Sequence, residues 1–228
     1  MNFLRFCKFK PESAKKKIFH YLNMKKSLNF AESFKYDDTN LPKANDMFSG
    51  LKQRDKLGRR VMITRIAQWD PKILDRQLIL QVTYPSMNLM RLEPDTQING
   101  WVCILDCKGL NYSHVLAMTP RLIKTTIDFL LNFLPIRARG FHIVNNPFFF
   151  QPIFKLIKQL LPEEARSLIM MHGKNMNELH RYIAPEYLPE CYGGTAEDAE
   201  LPLEETYSVV KKYENTLKDF LECEIKDT

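Results

Sequence analysis

The chain alternates between short continuous apolar runs and longer segments in which apolar residues recur every three or four positions. The continuous runs predict buried β-strands at 61–66, 101–105, 140–144 and 168–171. The helical spacing predicts α-helices at 73–90, 120–134, 148–161 and 175–183. Strands that alternate with helices predict an α/β fold with a mostly parallel sheet.

Both ends of the chain differ from this pattern. Pro11 suits a first helical position, and the apolar residues after it predict a helix over 11–30. Residues 31–60 are polar and are predicted to be a connector, whereas the acidic segment from 203 to about 223 predicts an amphipathic helix. We therefore predict two parts, a partial N-terminal helical domain with its connector at 1–56 and the main domain at 57–228.

The net charge of +6 is concentrated in the first quarter of the chain. Residues 1–60 hold 15 Lys or Arg and 6 Asp or Glu, a balance of +9, whereas residues 195–228 hold 4 and 10, a balance of −6. A basic segment favours an anionic partner, either nucleic acid or acidic lipid headgroups, and the alternative is a solvated helix face. No nucleic-acid recognition module fits the sequence, so we expect no nucleic acid partner.

Patterns that would indicate an enzyme or a metal site are missing from the sequence. There is no Gly-rich phosphate loop and no G-x-S-x-G motif, and the five histidines do not show metal-ligand spacing. Cys103 and Cys107 form a lone C-x3-C pair, which we interpret as apolar packing. We therefore predict a protein that is not an enzyme and has no catalytic residue, metal or cofactor.

The expected compartment is the cytoplasm. No apolar stretch reaches the roughly 20 residues of a membrane span, and the N-terminus lacks the features of a secretory signal. Five cysteines do not form an even framework, so we expect reduced thiols.

Six sequence stretches are informative as an ordered set. They are FLRFCKF at 3–9, GRRVMITRIAQWDP at 58–71, NGWVCILDCKGLNYSHVLAMTP at 99–120, FLPIRARGFHIVNNP at 133–147, MMHGKN at 170–175 and LPECYGG at 188–194. Each stretch alone is weakly specific, but in this order and spacing they resemble the CRAL-TRIO family of lipid-binding proteins. The branch that they resemble most is that of the α-tocopherol transfer protein and the retinaldehyde-binding protein. The resemblance spans roughly residues 3–30 and 57–221.

The resemblance implies a sheet that forms the floor of an apolar cavity for one lipid, with helices and a mobile lid helix as its cover. It implies a cytosolic monomer that binds a tocopherol-, retinoid- or phospholipid-like molecule and exchanges it at anionic membranes. The alternative is a phosphoinositide-responsive recruitment or signalling module without net lipid transport. Family members usually begin with further helices, so we expect the N-terminal helical part here to be truncated.

By the same resemblance, twelve residues are expected to line the cavity. They are Leu80, Thr83, Tyr84, Met87, Ile104, Phe129, Leu130, Leu134, Phe141, Phe150, Phe154 and Ile157. Thr83 and Tyr84 are the polar members and are expected to fix a headgroup or a hydroxyl group. Plain core packing is the alternative for each apolar member. The large Phe129 and Phe141 side chains imply a cavity of different shape from that of the tocopherol carriers.

The helix predicted at 148–161 stands at the position of the family's lid. Asn146 and Pro147 provide a hinge-like start, and the three phenylalanines at 148–150 offer apolar surface both to the cavity and to a bilayer. An ordinary core helix is the alternative.

Two arginines form the candidate headgroup site. Arg137 and Arg139 are two residues apart, so in an extended backbone both guanidinium groups point to one side and can bind one phosphorylated headgroup. The resemblance adds Lys25 and Arg166 to this phosphoinositide or anionic-headgroup site. The match is partial, because further basic positions of the relatives are occupied here by Glu163, Glu164 and Leu168. A solvated pair of arginines is the alternative.

Overall fold

The structure, a computed structural model, describes residues 2–27, 47–68, 70, 87, 89–133, 135–201 and 203–213. Its α-helices are α1 (Asn2–Phe6), α2 (Pro11–Ser27), α3 (Pro94–Asn99), α4 (Tyr112–Ala117), α5 (Pro120–Asp128), α6 (Phe150–Leu160), α7 (Glu163–Arg166), α8 (Met176–His180) and α9 (Leu203–Lys212). Its strands are β1 (Phe48–Leu51), β2 (Arg60–Arg65), β3 (Trp101–Asp106), β4 (Ala138–Val144), β5 (Ile169–Gly173) and β6 (Glu200–Leu201). A π-helix follows α5 at Phe129–Phe133, and 3-10 turns lie at Ile66–Gln68, Pro185–Tyr187 and Glu190–Tyr192.

The strands form one sheet in the order β5-β4-β3-β2-β1-β6. The strands β2 to β5 run parallel, with Ile63 opposite Ile104 and Ile104 opposite His142. At the other edge, β1 is antiparallel to β2 and β6 is antiparallel to β1. The predicted α/β fold with a mostly parallel sheet is confirmed, since each parallel pair is joined by a crossover segment of the length that parallel pairing requires.

The sheet begins before residue 57, the predicted start of the main domain. β1 lies inside the segment predicted as a connector and turns into β2 through a loop that Asp55 stabilises. The Asp55 carboxylate accepts hydrogen bonds from the backbone N–H groups of Leu57 and Arg59, at 3.0 and 2.9 Å. The first strand of the sheet therefore lies before residue 57, outside the predicted bounds of the main domain. The sequence FSGL is too short to stand out alone, and it becomes a strand because β2 and β6 pair with it.

The helices agree with the sequence patterns where both can be compared. Pro120 opens α5, and the Thr119 hydroxyl caps it by accepting a hydrogen bond from the Leu122 N–H at 3.2 Å. The predicted helix over 120–134 continues past α5 as the π-helix Phe129–Phe133. The helix predicted over 73–90 falls mostly outside the described residues, as does the end of the helix predicted from 203 to about 223.

The two faces of the sheet are buried against different helices. Successive side chains of a strand point to opposite faces, so Cys103 and Leu105 of β3 face α5 and α6, whereas Ile104 faces the other way. There Ile104 is fully buried beside Leu179 and Ile183, which α8 and its following turn supply. The core is thus split into an α8 side and an α5–α6 side.

The N-terminal helices pack on the α5–α6 side. Tyr21 of α2 stacks on Phe133 of the π-helix, with ring centroids 4.6 Å apart, and Phe3 of α1 meets Tyr21 edge-on at 5.5 Å. These aromatic contacts join α1 and α2 to the same cluster of buried residues that contains Trp101. The N-terminal helices α1 and α2 therefore pack against the π-helix and stabilise it.

Candidate functional site

A cavity of about 270 Å³ lies between the sheet and the helices on the α5–α6 side. The strands line it with Met62, Thr64, Trp101, Cys103, Leu105, Phe141, Ile143 and Ile169. The helical elements α5, the π-helix and α6 line it with Leu122, Ile123, Thr126, Ile127, Phe129, Leu130, Leu131, Phe150, Phe154 and Ile157. No described residue that lines the cavity is charged. The space therefore suits an apolar molecule.

The structure brings many of the predicted cavity residues together. Those that line the cavity are Met87, Phe129, Leu130, Phe141, Phe150, Phe154 and Ile157. The predictions for Leu80, Thr83, Tyr84 and Leu134 lie outside the described residues. Ile104 is a correction: it does not line the cavity, because the period of two along β3 turns it to the α8 side.

The strands β2 and β3 contribute three polar side chains to the cavity wall that are absent from the predicted set, Thr64, Trp101 and Cys103. Thr64 and Cys103 lie next to each other, with Thr64 Oγ1 3.6 Å from Cys103 Sγ. Burial raises the pKa of the Cys103 thiol to about 11, so this thiol is neutral at physiological pH. Trp101 also lines the cavity, and its buried indole Nε1 has no hydrogen-bond partner among the described residues. Alternation along β2 and β3 is the signal that would have found all three.

The predicted hinge lies between β4 and α6. Asn145, the residue before it, has a φ of 55° in the left-handed region, and its N–H donates to Gly173 O at 2.6 Å. Asn146 and Pro147 follow, and the Pro147 carbonyl accepts a hydrogen bond from the Phe150 N–H at 3.0 Å where α6 begins. A short, defined turn thus connects the sheet to a helix whose inner side lines the cavity.

An exposed apolar patch lies beside this hinge. We define the aromatic patch as Tyr112, Leu116, Phe148 and Phe149. Phe149 stacks on Tyr112 of α4, with ring centroids 4.5 Å apart. Phe148 is 86% exposed and Leu116 is 81% exposed. Contiguous apolar side chains at a surface mark a contact site more often than chance exposure does.

The predicted arginine pair lies at the start of β4, against the C-terminal end of α3. Arg137 Nη2 donates to the carbonyl oxygens of Ile98 and Gln97 at 2.5 and 3.2 Å, and Arg139 Nε donates to Asn99 O at 3.0 Å. A Cβ atom on Gly100 would lie 2.4 Å from the Arg137 carbonyl oxygen, so glycine permits this close approach. Both guanidinium groups thus gather at one helix end, where the backbone dipole favours positive charge.

The arginine pair is rich in positive charge. Burial, and then the charges of Arg137 and Arg59, lower the pKa of Arg139. Within the described part of the chain, neither Arg137 nor Arg139 forms an ion pair with a carboxylate. Mutual repulsion without a counter-charge is the electrostatic condition for anion binding.

The other two predicted headgroup residues are placed differently. The guanidinium of Arg166 caps the end of α6, donating to Leu161 O at 2.9 Å and to Gln159 O at 3.4 Å. The side chain of Lys25 lies outside the described residues. Burial lowers the pKa of Lys17 in α2, and the charges of Cys7, Asp128 and Glu164 act in the opposite direction. The structure therefore brings Arg137 and Arg139 together, whereas Arg166 binds the carbonyl oxygens at the end of α6.

A histidine pair is buried on the opposite side of the sheet. His142 Nδ1 lies 3.0 Å from His172 Nε2, and the ring of Tyr182 lies 5.0 Å from that of His142. Burial, and then the charges of His172 and Arg59, lower the pKa of His142 to about 3. The pair is therefore neutral at physiological pH and does not add charge to the arginine pair.

No described helix is long and apolar enough to cross a membrane. Within the same residues, no three or more His, Cys, Asp or Glu side chains come together as metal ligands would.

The amino-acid sequence matches a known domain family. The sequence profile of the CRAL/TRIO domain matches residues 44–194, and this match includes β1. Clavesin-1 from Rattus norvegicus is 33% identical over 198 residues, which are 86% of this chain and 56% of that protein. Clavesin-2 from Homo sapiens is 32% identical over 197 residues, which are 85% of this chain and 60% of that protein. The chain thus spans 56% to 60% of the length of these curated relatives.

The fold is also similar to that of a solved structure. The crystal structure of Sfh5 superposes with a TM-score of 0.60 at 17% sequence identity. The superposition covers 90% of this chain and 79% of that one. At this identity the similarity supports the fold alone.

Proposed function

Because the chain belongs to the CRAL/TRIO domain family, we propose that it encloses one hydrophobic lipid in the cavity and transfers it between membranes. Proteins of this family are lipid-binding and lipid-transfer proteins and are generally not enzymes. The observation that supports the proposal most directly is the uncharged cavity wall, to which α6 contributes Phe150, Phe154 and Ile157. A tocopherol-, retinoid- or phospholipid-like cargo fits this proposal.

A lipid bound in this cavity requires an element that can open to release it. Each buried CH₂ group contributes about 0.8 kcal/mol, so a dozen buried carbons stabilise the bound lipid by roughly 10 kcal/mol before ordering costs. A lipid held that tightly exchanges too slowly with water to be delivered through it. Release at a membrane needs an element of the cavity wall that moves, and α6 with its start at Asn146 and Pro147 is our candidate.

The aromatic patch supports membrane docking next to this lid. Phe148 and Phe149 are continuous with the hinge, and Tyr112 and Leu116 of α4 extend the patch. Aromatic side chains partition favourably into the interfacial region of a bilayer. Insertion of this patch would pull on the N-terminal end of α6 and so open the cavity toward the acyl chains.

The arginine pair supports attraction to an anionic headgroup. Arg139 is exposed, and the N–H groups of its two terminal nitrogens are hydrogen-bond donors in addition to the Nε–H that contacts Asn99 O. We extend the proposal to a phosphorylated inositol lipid or another anionic headgroup bound at Arg137 and Arg139, with Lys25 and Arg166 as further contributors. Glu164 and the absence of a basic side chain at Leu168 favour a weaker, less specific site than a fully basic one.

The working state in this proposal is a cytosolic monomer that meets membranes peripherally and performs no catalysis. The alternative is a membrane-recruitment or signalling module whose lipid is structural. A vesicle assay separates the two: transfer requires a labelled lipid to move from donor to acceptor vesicles faster with the protein than without it.

Lipid extraction from the purified protein, followed by mass spectrometry, tests the proposal. We expect close to one lipid per chain, and uptake of retinoid, tocopherol or phospholipid by protein that is first stripped of lipid. Recovery of no stoichiometric lipid, together with no uptake from any of these three classes, would overturn it. Stoichiometric lipid without transfer between vesicles would favour the recruitment module.

A further inference from the structure

A continuous row of aromatic rings connects the N-terminal helix α1 to the wall of the cavity. Phe3 of α1 meets Tyr21 of α2 edge-on, with ring centroids 5.5 Å apart. Tyr21 stacks on Phe133 at 4.6 Å, and Phe133 stacks on Phe129 at 5.2 Å. We define these four residues as the aromatic row. Of the four, Phe129 lines the cavity, and the other three form a second layer behind it.

The π-helix brings Phe129 into contact with both the cavity and the second layer. A π-helical turn closes between residues i and i+5, so it holds more residues than an α-helical turn and its successive side chains spread over a smaller angle. Accordingly, the three consecutive residues Phe129, Leu130 and Leu131 all line the cavity. Phe129 and Phe133, at the two ends of the π-helix, are still close enough to stack. Single π-helical turns of this kind are frequent at functional sites.

Helix α2 holds the π-helix from behind the cavity wall. Lys17 Nζ donates a hydrogen bond to Leu131 O at 3.3 Å, and Tyr21, one turn further along α2, supplies the ring contact with Phe133. Tyr21 is 3% exposed and Phe133 is fully buried. Because these two rings fill the space behind Phe129, its side chain cannot move back when a wide molecule presses on the wall.

The cavity in front of the aromatic row is narrow. Its volume of about 270 Å³ lies below the roughly 300–1,000 Å³ of most ligand pockets. The aromatic rings of Phe129, Phe141, Phe150 and Phe154 all contribute to its wall. A close-packed wall of this kind resists an oversized group, because overpacking forces side chains out of their preferred rotamers. The wall therefore favours a slender chain over a rigid body of fused rings.

From the aromatic row and the size of the cavity, and resting on the proposed function, we propose that Tyr21 and Phe133 determine how wide a lipid the protein accepts. They are positioning residues, since they act by holding Phe129 forward in the cavity wall. The preferred cargo is then a lipid with one slender chain, and a lipid with a fused-ring body binds poorly. The N-terminal helices thus contribute to the specificity of the main domain.

Competition between two alcohols of different width tests this inference. Protein stripped of lipid is incubated with equal amounts of hexadecanol and cholesterol from a cyclodextrin carrier, and bound lipid is quantified by mass spectrometry. The natural sequence should prefer hexadecanol. Phe133→Leu and Tyr21→Leu should each shift the binding ratio toward cholesterol by about tenfold, the lower end of the discrimination that one methylene group provides in a hydrophobic pocket. Phe129→Leu should shift the ratio at least as far.

Controls separate the width of the cavity from the stability of the fold. Tyr21→Phe keeps the ring and should keep the binding ratio. Ile104→Val also trims a fully buried side chain, but on the α8 side of the sheet. It should lower the free energy of unfolding in urea and leave the binding ratio unchanged. If Phe133→Leu folds poorly, Tyr21→Leu provides the test from the N-terminal side of the row.

The outcomes are distinguishable from failure of the proposed function. An unchanged ratio in folded Tyr21→Leu, together with a shifted ratio in Phe129→Leu, would overturn the inference while lipid binding stands. Preference of the natural sequence for cholesterol would also overturn it. Recovery of no stoichiometric lipid from the purified protein, with uptake of neither alcohol, would overturn the proposed function itself.

Discussion

The Asp106 carboxylate accepts a hydrogen bond from Asn145 Nδ2 at 2.8 Å, and this contact joins the end of β3 to the first residue of the connection between β4 and α6. The other carboxylate oxygen of Asp106 accepts a hydrogen bond from the Tyr192 hydroxyl at 3.0 Å. Asp106 thus binds both the connection between β4 and α6 and the 3-10 turn Glu190–Tyr192. Both contacts lie at the carboxyl ends of β3 and β4, shortly after Leu105 and Ile143 of the cavity wall.

The conformation of Asn145 leads to a stability prediction. At its φ of 55°, alanine is strained by about 1–2 kcal/mol whereas glycine is not. Both replacements lose the charge-assisted hydrogen bond to Asp106, which contributes about 1.5–3 kcal/mol. We therefore expect Asn145→Gly to lower the free energy of unfolding and Asn145→Ala to lower it further, as measured by urea denaturation.

Asp198 provides the matched control for Asn145. It too has a positive φ, of 46°, but it is exposed and pairs with Lys52 at the surface. Asp198→Gly should therefore lower stability by less than Asn145→Gly does. Equal losses at the two positions would show that the Asp106 contact does not stabilise the hinge.

The lowered pKa of His142 predicts how the stability of the protein depends on pH. Its pKa in the folded protein is about 3, against an ordinary value of 6.5, because of burial and then of His172 and Arg59. Between pH 6.5 and about 3, the unfolded chain binds a proton that folded His142 does not. The free energy of unfolding should therefore fall as the pH decreases through this window, by at most about 1.4 kcal/mol per pH unit from this residue.

His142→Asn should flatten this slope in urea denaturation series at pH 7, 6, 5 and 4. Some slope should remain, because burial also lowers the pKa of His172. The exposed His20 supplies the control, and His20→Asn should leave the slope unchanged. A slope that is the same in His142→Asn and in the natural sequence would contradict the prediction.

The aromatic patch predicts selective loss of membrane binding. Phe148→Ser with Leu116→Ser should weaken binding to phosphatidylcholine vesicles by at least about tenfold, since each large apolar side chain contributes about 1.5–3 kcal/mol when it is buried. Stability should not change, because both side chains are exposed in the free protein. Vesicle flotation gives the binding, and Leu57→Ser, at a residue 59% exposed in the β1–β2 loop, is the control.

The arginine pair predicts a salt-dependent loss. Arg137→Gln with Arg139→Gln should weaken binding to anionic vesicles by roughly 2 kcal/mol, at about 1 kcal/mol per basic residue, and the difference should shrink at high salt. Cavity lipid content should be unchanged. Arg181→Gln is the control, because Arg181 is exposed and paired with Glu178. Equal losses on phosphatidylserine and phosphoinositide vesicles of matched charge would argue against headgroup specificity.

The strength of the local signal explains which elements could be predicted from the sequence. The continuous apolar run that became β3 needs no partner to be recognised, since a buried parallel strand is apolar on both faces. β1 has only four residues, so its identity depends on β2 and β6. The prediction for Ile104 is wrong because a continuous apolar run does not reveal which of its residues faces which side of the sheet.

The sequence by itself determined the fold class, the family and the position of the candidate lid, because these depend on periodicity and on motifs that are local in the chain. Only the tertiary structure decided that Trp101 and Thr64 share the cavity wall. Likewise, the carbonyl oxygens that hold Arg137 and Arg139 belong to α3, about 40 residues earlier in the chain. Sequence periodicity assigns a face to a side chain, but the partner on that face is set by how distant segments pack.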